Sequence, residues 1–259
     1  MTLPFAFFTR EADGTFVATD YTRGPWDSQL MHGGPVAALL GRELEKASED
    51  FPIAKVAFEF LRPLAMGAYR VETSLQKSGK QVQRIEARLL AGTVEVARAT
   101  SLHLRRAPLV LPTAPWMTPK TPEACTPLEL DFFRDPIGYH KAIEVRVIDG
   151  VWAQSPVTAW MKLLVNVVEG QEPSPLERVL SCVDAESGVG PPLDPRDFTF
   201  LNPDLTAYVV RPLVGPWLGM RITSALGSDT GIGLSEAALF DGQGPLGRSV
   251  QSLLLAARR

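Results

Sequence analysis

Cysteine is scarce. Cys125 and Cys182 are the only two in 259 residues, they lie far apart, and "EACTP" and "LSCVD" match no metal or redox spacing. A disulfide framework is thereby excluded. Both are read as small buried apolar residues, and a reducing cytoplasm as the compartment. No apolar run approaches the roughly 20 residues that span a bilayer. The opening "MTLPFAFFTREADG" has neither a basic n-region nor a long apolar stretch, so no membrane span and no secretory signal are expected. Charge of one sign is lacking too: the net charge is −3 and acids and bases are mixed along the chain. Without a basic face, nucleic acid is not an expected partner. No Gly-x-Ser-x-Gly elbow is present, which speaks against a serine-triad hydrolase. No His/Cys/carboxylate cluster has ligand spacing, so no metal is expected. What remains is 45% hydrophobic and 21% charged, the balance of a soluble globular protein with a full core.

Proline gathers in residues 107 to 130, "APLVLPTAPWMTPKTPEACTPLEL". Proline breaks helices and central strands alike, and such a stretch is extended and stiff. It reads as a linker, 107–135, between an N-terminal unit (1–106) and a C-terminal unit (136–259).

The two units look alike. With Arg62-Pro63-Leu64 set on Arg211-Pro212-Leu213, "AYRVETSL" falls near "LGMRITSAL" and "VARATSLHL" on "LGRSVQSLLL". An ordered self-match at this distance marks a duplicated fold. Within one unit, "KVAFEFLRP", "YRVETSLQ", "QRIEARLLA" and "VARATSLHLR" alternate as strands do, separated by "KSGK" and "LAGT" turns. Short turns between successive strands give an antiparallel meander. Ahead of it stands one helix with Val36, Leu40, Leu44 and Ala47 on its apolar stripe and "EDFP" at its close. The second unit repeats the plan. Ser174 is its candidate N-cap, Pro175 its first helical residue, and Leu176, Val179, Leu180 and Val183 its stripe, with Gly188 near its end. A single sheet must cover its apolar face, and the helix can lie across it.

"HGGPVAALL", "AFEFLRPL", the second "VVRPL", "LFDGQG" and "GRSVQSLLL" occur in this order from about Trp26 to the C-terminus. In that order the chain resembles the hotdog-fold acyl-CoA thioesterases, and more narrowly the double-hotdog acyl-CoA thioesterase II (TesB-like) family. The resemblance implies an α+β double hotdog, each domain a long central helix wrapped by an antiparallel sheet. It also implies hydrolysis of acyl-CoA thioesters without metal or organic cofactor.

It further implies a polar trio in the second hotdog that holds and activates water. Asp184 matches the helix aspartate by its place in "LSCVDAESG", and Gln251 the last-strand glutamine by its place in "GRSVQSL". Counted back from Arg211-Pro212, the middle member falls on Asn202, where the family has threonine or serine; the nearest hydroxyl is Thr206. In the first half the corresponding places hold Ser101 and, on or near it, Gly41, so that half lacks the trio.

His32, Gly33 and Gly34 open the first helix. In single-hotdog thioesterases a similar His-Gly-Gly lets a glycine N–H polarise the thioester carbonyl, and helix starts do offer unpaired N–H groups. Here the motif stands in the half without a carboxylate. It is read either as an auxiliary substrate-binding element or, by preference, as a device for close packing. His103 and His140 have no partner that spacing identifies.

Two other functions stay open. One is a non-catalytic acyl-CoA or acyl-carrier binding protein on the same fold. The other is a hotdog enoyl-CoA hydratase, which needs an Asp/His pair; Asp184 has no histidine near it in sequence. A homo-oligomer, dimer or tetramer, is expected from the outer sheet edges of such units.

Overall fold

The computed structural model describes residues 5–48, 51–107, 109–110, 112, 115–117, 119–227 and 229–258. The first half runs β1 (Ala6–Arg10), β2 (Phe16–Ala18), α1 (Gly33–Lys46), β3 (Ile53–Phe60), β4 (Ala68–Ser78), β5 (Val82–Ala91) and β6 (Val94–Leu104). The second runs β7 (Thr126–Pro127), α2 (Tyr139–Ala142), β8 (Ile143–Val151), β9 (Gln154–Leu163), β10 (Asn166–Val168), α3 (Pro175–Val183), α4 (Glu186–Val189), β11 (Phe198–Leu201), β12 (Asp204–Val209), β13 (Trp217–Gly227), β14 (Ile232–Asp241) and β15 (Gly244–Ala257).

Each half is an antiparallel meander, as the alternation of its strands predicts, wrapped round its helix. The turn between β5 and β6 needs a left-handed backbone, and Gly92 supplies it at φ 61°. The two meanders join edge to edge. β3 pairs antiparallel with β12, from Asp204 opposite Glu59 to Tyr208 opposite Lys55, so one continuous sheet carries both halves. A second link runs the other way: β1, at the start of the chain, pairs in parallel with β10 of the second half.

Inside the sheet α1 and α3 pack antiparallel. Residues 34–42 of α1 are buried all round, because the sheet covers one side and α3 the other. Leu39, Leu40 and Leu44 meet Val179, Leu180 and Val183 in one core, each such side chain contributing about 1.5–3 kcal/mol by leaving water. Close approach is built in at Gly41, where a Cβ would stand 2.1 Å from Leu180 Cδ1. Ser174 caps α3 by accepting from Glu177 N–H, with Pro175 at the first position, as the sequence predicts.

Three local expectations need correction. α1 ends at Lys46, so Ala47 is an exposed C-cap rather than part of the stripe; Glu49 and Asp50 of "EDFP" lie outside the described residues. The second helix does not run through to Gly188. α3 stops at Val183, Asp184 is its C-cap, and α4 begins afresh at Glu186. Finally, the proline-rich stretch is not all spacer. β7 pairs with β8, and Cys125, Leu130 and Phe132 are buried, because apolar side chains among the prolines find the second half's surface. Both cysteines are free and buried. Among the described residues no helix is long and apolar enough to cross a membrane.

Candidate active site

Asp184 terminates α3, and that position decides its surroundings. Antiparallel packing brings the end of α3 against the start of α1, so the aspartate of one half meets His32 and Gly33 of the other. His32 Nδ1 lies 2.9 Å from Asp184 Oδ2, with the aspartate side chain 1% exposed and the histidine 14%. On the other side Asn202, just before β12, donates from Nδ2 to Asp184 Oδ1 at 2.7 Å. A carboxylate buried among apolar residues is costly unless hydrogen-bonded, and here each oxygen has a partner.

His32 is held as firmly. Its ring stacks on Tyr139 at 3.9 Å between centroids and 6° between planes. Tyr139 is fully buried and donates its hydroxyl to Ser181 O at 2.6 Å; burial holds the phenol well above its ordinary pKa, so it stays a donor. Nδ1 also stands 3.1 Å from Gly34 N. One nitrogen cannot serve both neighbours fully. Without a proton it accepts from Gly34 N–H and caps α1; with one it donates to Asp184. The charge-assisted bond is the stronger, so an ionised Asp184 selects the Nδ1–H tautomer and leaves Nε2 as the basic nitrogen.

The two glycines answer to this contact. A Cβ on Gly34 would stand 2.7 Å from the Ser181 carbonyl oxygen, and one on Gly33 2.7 Å from both Asp184 oxygens and 2.9 Å from its Cγ. Neither position has room for a side chain. Gly33 also lines the cleft, and its N–H, the first of α1, has no intrahelical acceptor. Gly33→Ala is expected to push the Asp184 carboxylate aside. Thermal unfolding is expected to show a melting temperature lower by a few degrees, because the carboxylate must give way on both oxygens.

The cleft has a volume of about 440 Å³ and its floor is the Asp184–His32 pair. Its walls are apolar and come from separate parts of the chain: Trp26 before α1, Phe60 and Leu61 at the end of β3, Phe132 and Phe133 from the end of the linker, and Phe200 from β11. Trp26 meets Phe200 edge-on at 5.2 Å and Phe132 at 6.2 Å.

Of the residues chosen from the sequence, Asp184, Asn202, His32, Gly33 and Gly34 converge. Gln251 sits behind them, wholly buried. Its Nε2 is 3.5 Å from the carbonyls of Val183 and Asp184, and its Oε1 accepts from Ser187 at 3.3 Å. It braces the break between α3 and α4 and does not line the cleft. Thr206 does not join the group. It alternates with the buried Leu205 and Ala207 along β12 and so faces away from the helices. His103 is a core residue bonded to Ser101 Oγ and Phe51 O, both at 2.8 Å, and burial holds its pKa below the usual imidazole value.

Sequence reasoning missed Tyr139 and the buried Glu186. It also separated His32 from Asp184. The signal lay in the duplication itself: two like helices packed antiparallel bring the start of one to the end of the other. Among the described residues no group of three or more His, Cys, Asp or Glu side chains could hold a metal.

The comparisons agree with this architecture. Residues 22–104 match the family model of the acyl-CoA thioesterase N-terminal domain, and residues 122–255 that of the acyl-CoA thioesterase C-terminal domain. A conserved hot dog fold protein from Alicyclobacillus acidocaldarius superposes with a TM-score of 0.71 at 13% identity, over 95% of this chain and 92% of that one. The tesB protein of Mycobacterium avium subsp. paratuberculosis does so at 0.66 and 16%, over 97% and 96%. The acyl-CoA thioesterase II TesB2 of Mycobacterium marinum gives 0.63 and 10%, over 97% and 95%. No curated protein sequence matches closely enough to count as a relative. With both halves matched in order over most of its length, on a double-hotdog fold, the chain belongs to the acyl-CoA thioesterase family.

Proposed function

We propose that the cleft hydrolyses acyl-CoA thioesters with the acyl group between the apolar walls and the thioester over Asp184. The observation that carries this reading is a buried carboxylate with both oxygens engaged, at the floor of an apolar cleft and against a helix start. Gly33 N–H polarises the thioester carbonyl. A water beside Asp184 gives up its proton to the Asp184–His32 pair as it attacks the carbonyl carbon. Asn202 keeps the carboxylate from rotating, in the place where the family carries a hydroxyl. Gln251 acts at one remove, by fixing the turn that presents Asp184. The departure at the middle position does not favour a purely binding role, because the amide makes a 2.7 Å bond to the carboxylate.

The test is steady-state release of free thiol from short, medium and long acyl-CoAs. Asn202→Ala removes a hydrogen bond to a charged group, worth about 1.5–3 kcal/mol, and is expected to lower kcat roughly ten- to a hundredfold with a smaller change in KM. Wild-type turnover that Asn202→Ala leaves untouched would remove Asn202 from the site. Binding of acyl-CoA with no thiol release from any chain length would favour the binding-protein reading.

A further inference from the structure

His32 carries more chemistry than thioester hydrolysis consumes. Its Nδ1 faces the Asp184 carboxylate at 2.9 Å, while no hydrogen bond from the described residues reaches Nε2 and the side chain borders the cleft. An imidazole with a carboxylate on one nitrogen and open space at the other is set up to take a proton and give it back. Hydrolysis uses only the first half of that cycle, because a thiolate is a stable anion, with an ordinary thiol pKa of about 8.5, and leaves without a proton. A reaction that must return a proton to carbon uses both halves. Sequence spacing argues against such chemistry, since no histidine lies near Asp184 along the chain; the packing of α1 on α3 removes that objection.

We infer that the same cleft adds water reversibly across the α,β double bond of an enoyl thioester, with His32 as the acid–base group. This rests on the reading above in one respect, that the thioester carbonyl lies at the start of α1. Polarised by Gly33 N–H, the conjugated carbonyl draws electrons from the double bond and makes Cβ electrophilic. Nε2 takes one proton from water as the water oxygen bonds to Cβ, and the π electrons move into a thioester enolate. Asp184 holds the imidazolium through Nδ1–H. The enolate then collapses as Cα takes the proton from Nε2. One water is consumed, nothing is oxidised or reduced, His32 ends neutral, and the product is a 3-hydroxyacyl thioester with its thioester bond intact. Because one group handles the proton in both steps, hydrogen and hydroxyl arrive on the same face.

The experiment uses crotonyl-CoA and the α,β-unsaturated octenoyl-CoA as probes, following loss of the enoyl ultraviolet absorbance beside release of free thiol. Asparagine is a good N-cap, so His32→Asn preserves the start of α1 while removing the acid–base group. The expected result is absorbance loss outpacing thiol release, a product carrying one deuterium at Cα when the reaction runs in D2O, and a fall of at least about a hundredfold in His32→Asn. Should that variant not fold, Asp184→Asn serves, with the same loss expected. Thiol release from wild type without enoyl hydration would overturn the inference and leave the thioesterase reading standing. Hydration that survives both substitutions would overturn it too, by placing the chemistry elsewhere. Hydration without any thiol release would support it and sink the hydrolytic reading.

Discussion

Asp184→Asn is expected to lower kcat for thiol release by roughly a hundred- to ten-thousandfold, the range lost with a positioned acid–base group. The side chain is almost isosteric, so the loss comes from charge and hydrogen-bond polarity. Asp184 accepts from Asn202 Nδ2 on one oxygen and faces His32 Nδ1 on the other. An amide has one acceptor and one donor end. Whichever way it turns, its NH2 meets either the Asn202 NH2 or the His32 nitrogen. Facing Nδ1, it ties up the lone pair and forces the tautomer that leaves Nε2 protonated. The melting temperature should change far less than the rate. A folded Asp184→Asn protein with wild-type turnover would show that the reacting water lies elsewhere.

Glu186 yields the second large effect, and on stability. It lies two residues beyond Asp184 at the start of α4, wholly buried beside Gln251 and Ser235; Ser249 donates to Oε2, and among the described residues Oε1 has no hydrogen-bond partner of good geometry. Burial, aided by the neighbouring Asp184 charge, pushes its pKa up to about 8 from 4.5. The folded protein therefore holds a proton that the unfolded chain has released. Stability from this group is full below pH 4.5, declines as pH rises towards 8, and is flat above. Across that window the loss is on the order of 5 kcal/mol. Glu186→Gln keeps the shape without a charge to desolvate, so it should stabilise the protein by several kcal/mol at pH 9 and change little at pH 4.5. Denaturant unfolding at the two pH values gives the comparison. Equal midpoint shifts at both would mean that Glu186 does not carry the pH dependence.

Much of this site could be read in the chain because its parts follow local rules. The N-cap at Ser174 and the first-turn Pro175 are set by the unpaired N–H groups of a helix start, and they mark where α3 begins. Asn202 is reached through the family resemblance alone, by counting back from Arg211-Pro212 across β12 to the residues just before that strand. Such rules end where the two halves touch. The His32–Asp184 pair depends on the antiparallel crossing of α1 and α3, which no spacing within one half encodes. Phe132 and Phe133 were hidden for another reason: proline composition marks a stretch as unable to form helix or central strand, but does not prevent its aromatic side chains from burying. Thr206 misleads by its proximity in sequence, since a strand turns successive side chains to opposite faces.

The duplication that brought His32 to Asp184 should have made a mirror arrangement at the far end of the helix pair. Counted from the helix starts, Gly33 corresponds to Pro175, and Asp184 to Arg42. Arg42 is buried and paired at 2.8 Å with Glu177, it also donates to Gln171, and Ser174 donates to Glu45 Oε2 beside it at 2.5 Å. An ion pair thus occupies the place where a second carboxylate would stand. The stoichiometry follows: each chain should saturate with one equivalent of a non-hydrolysable acyl-CoA analogue.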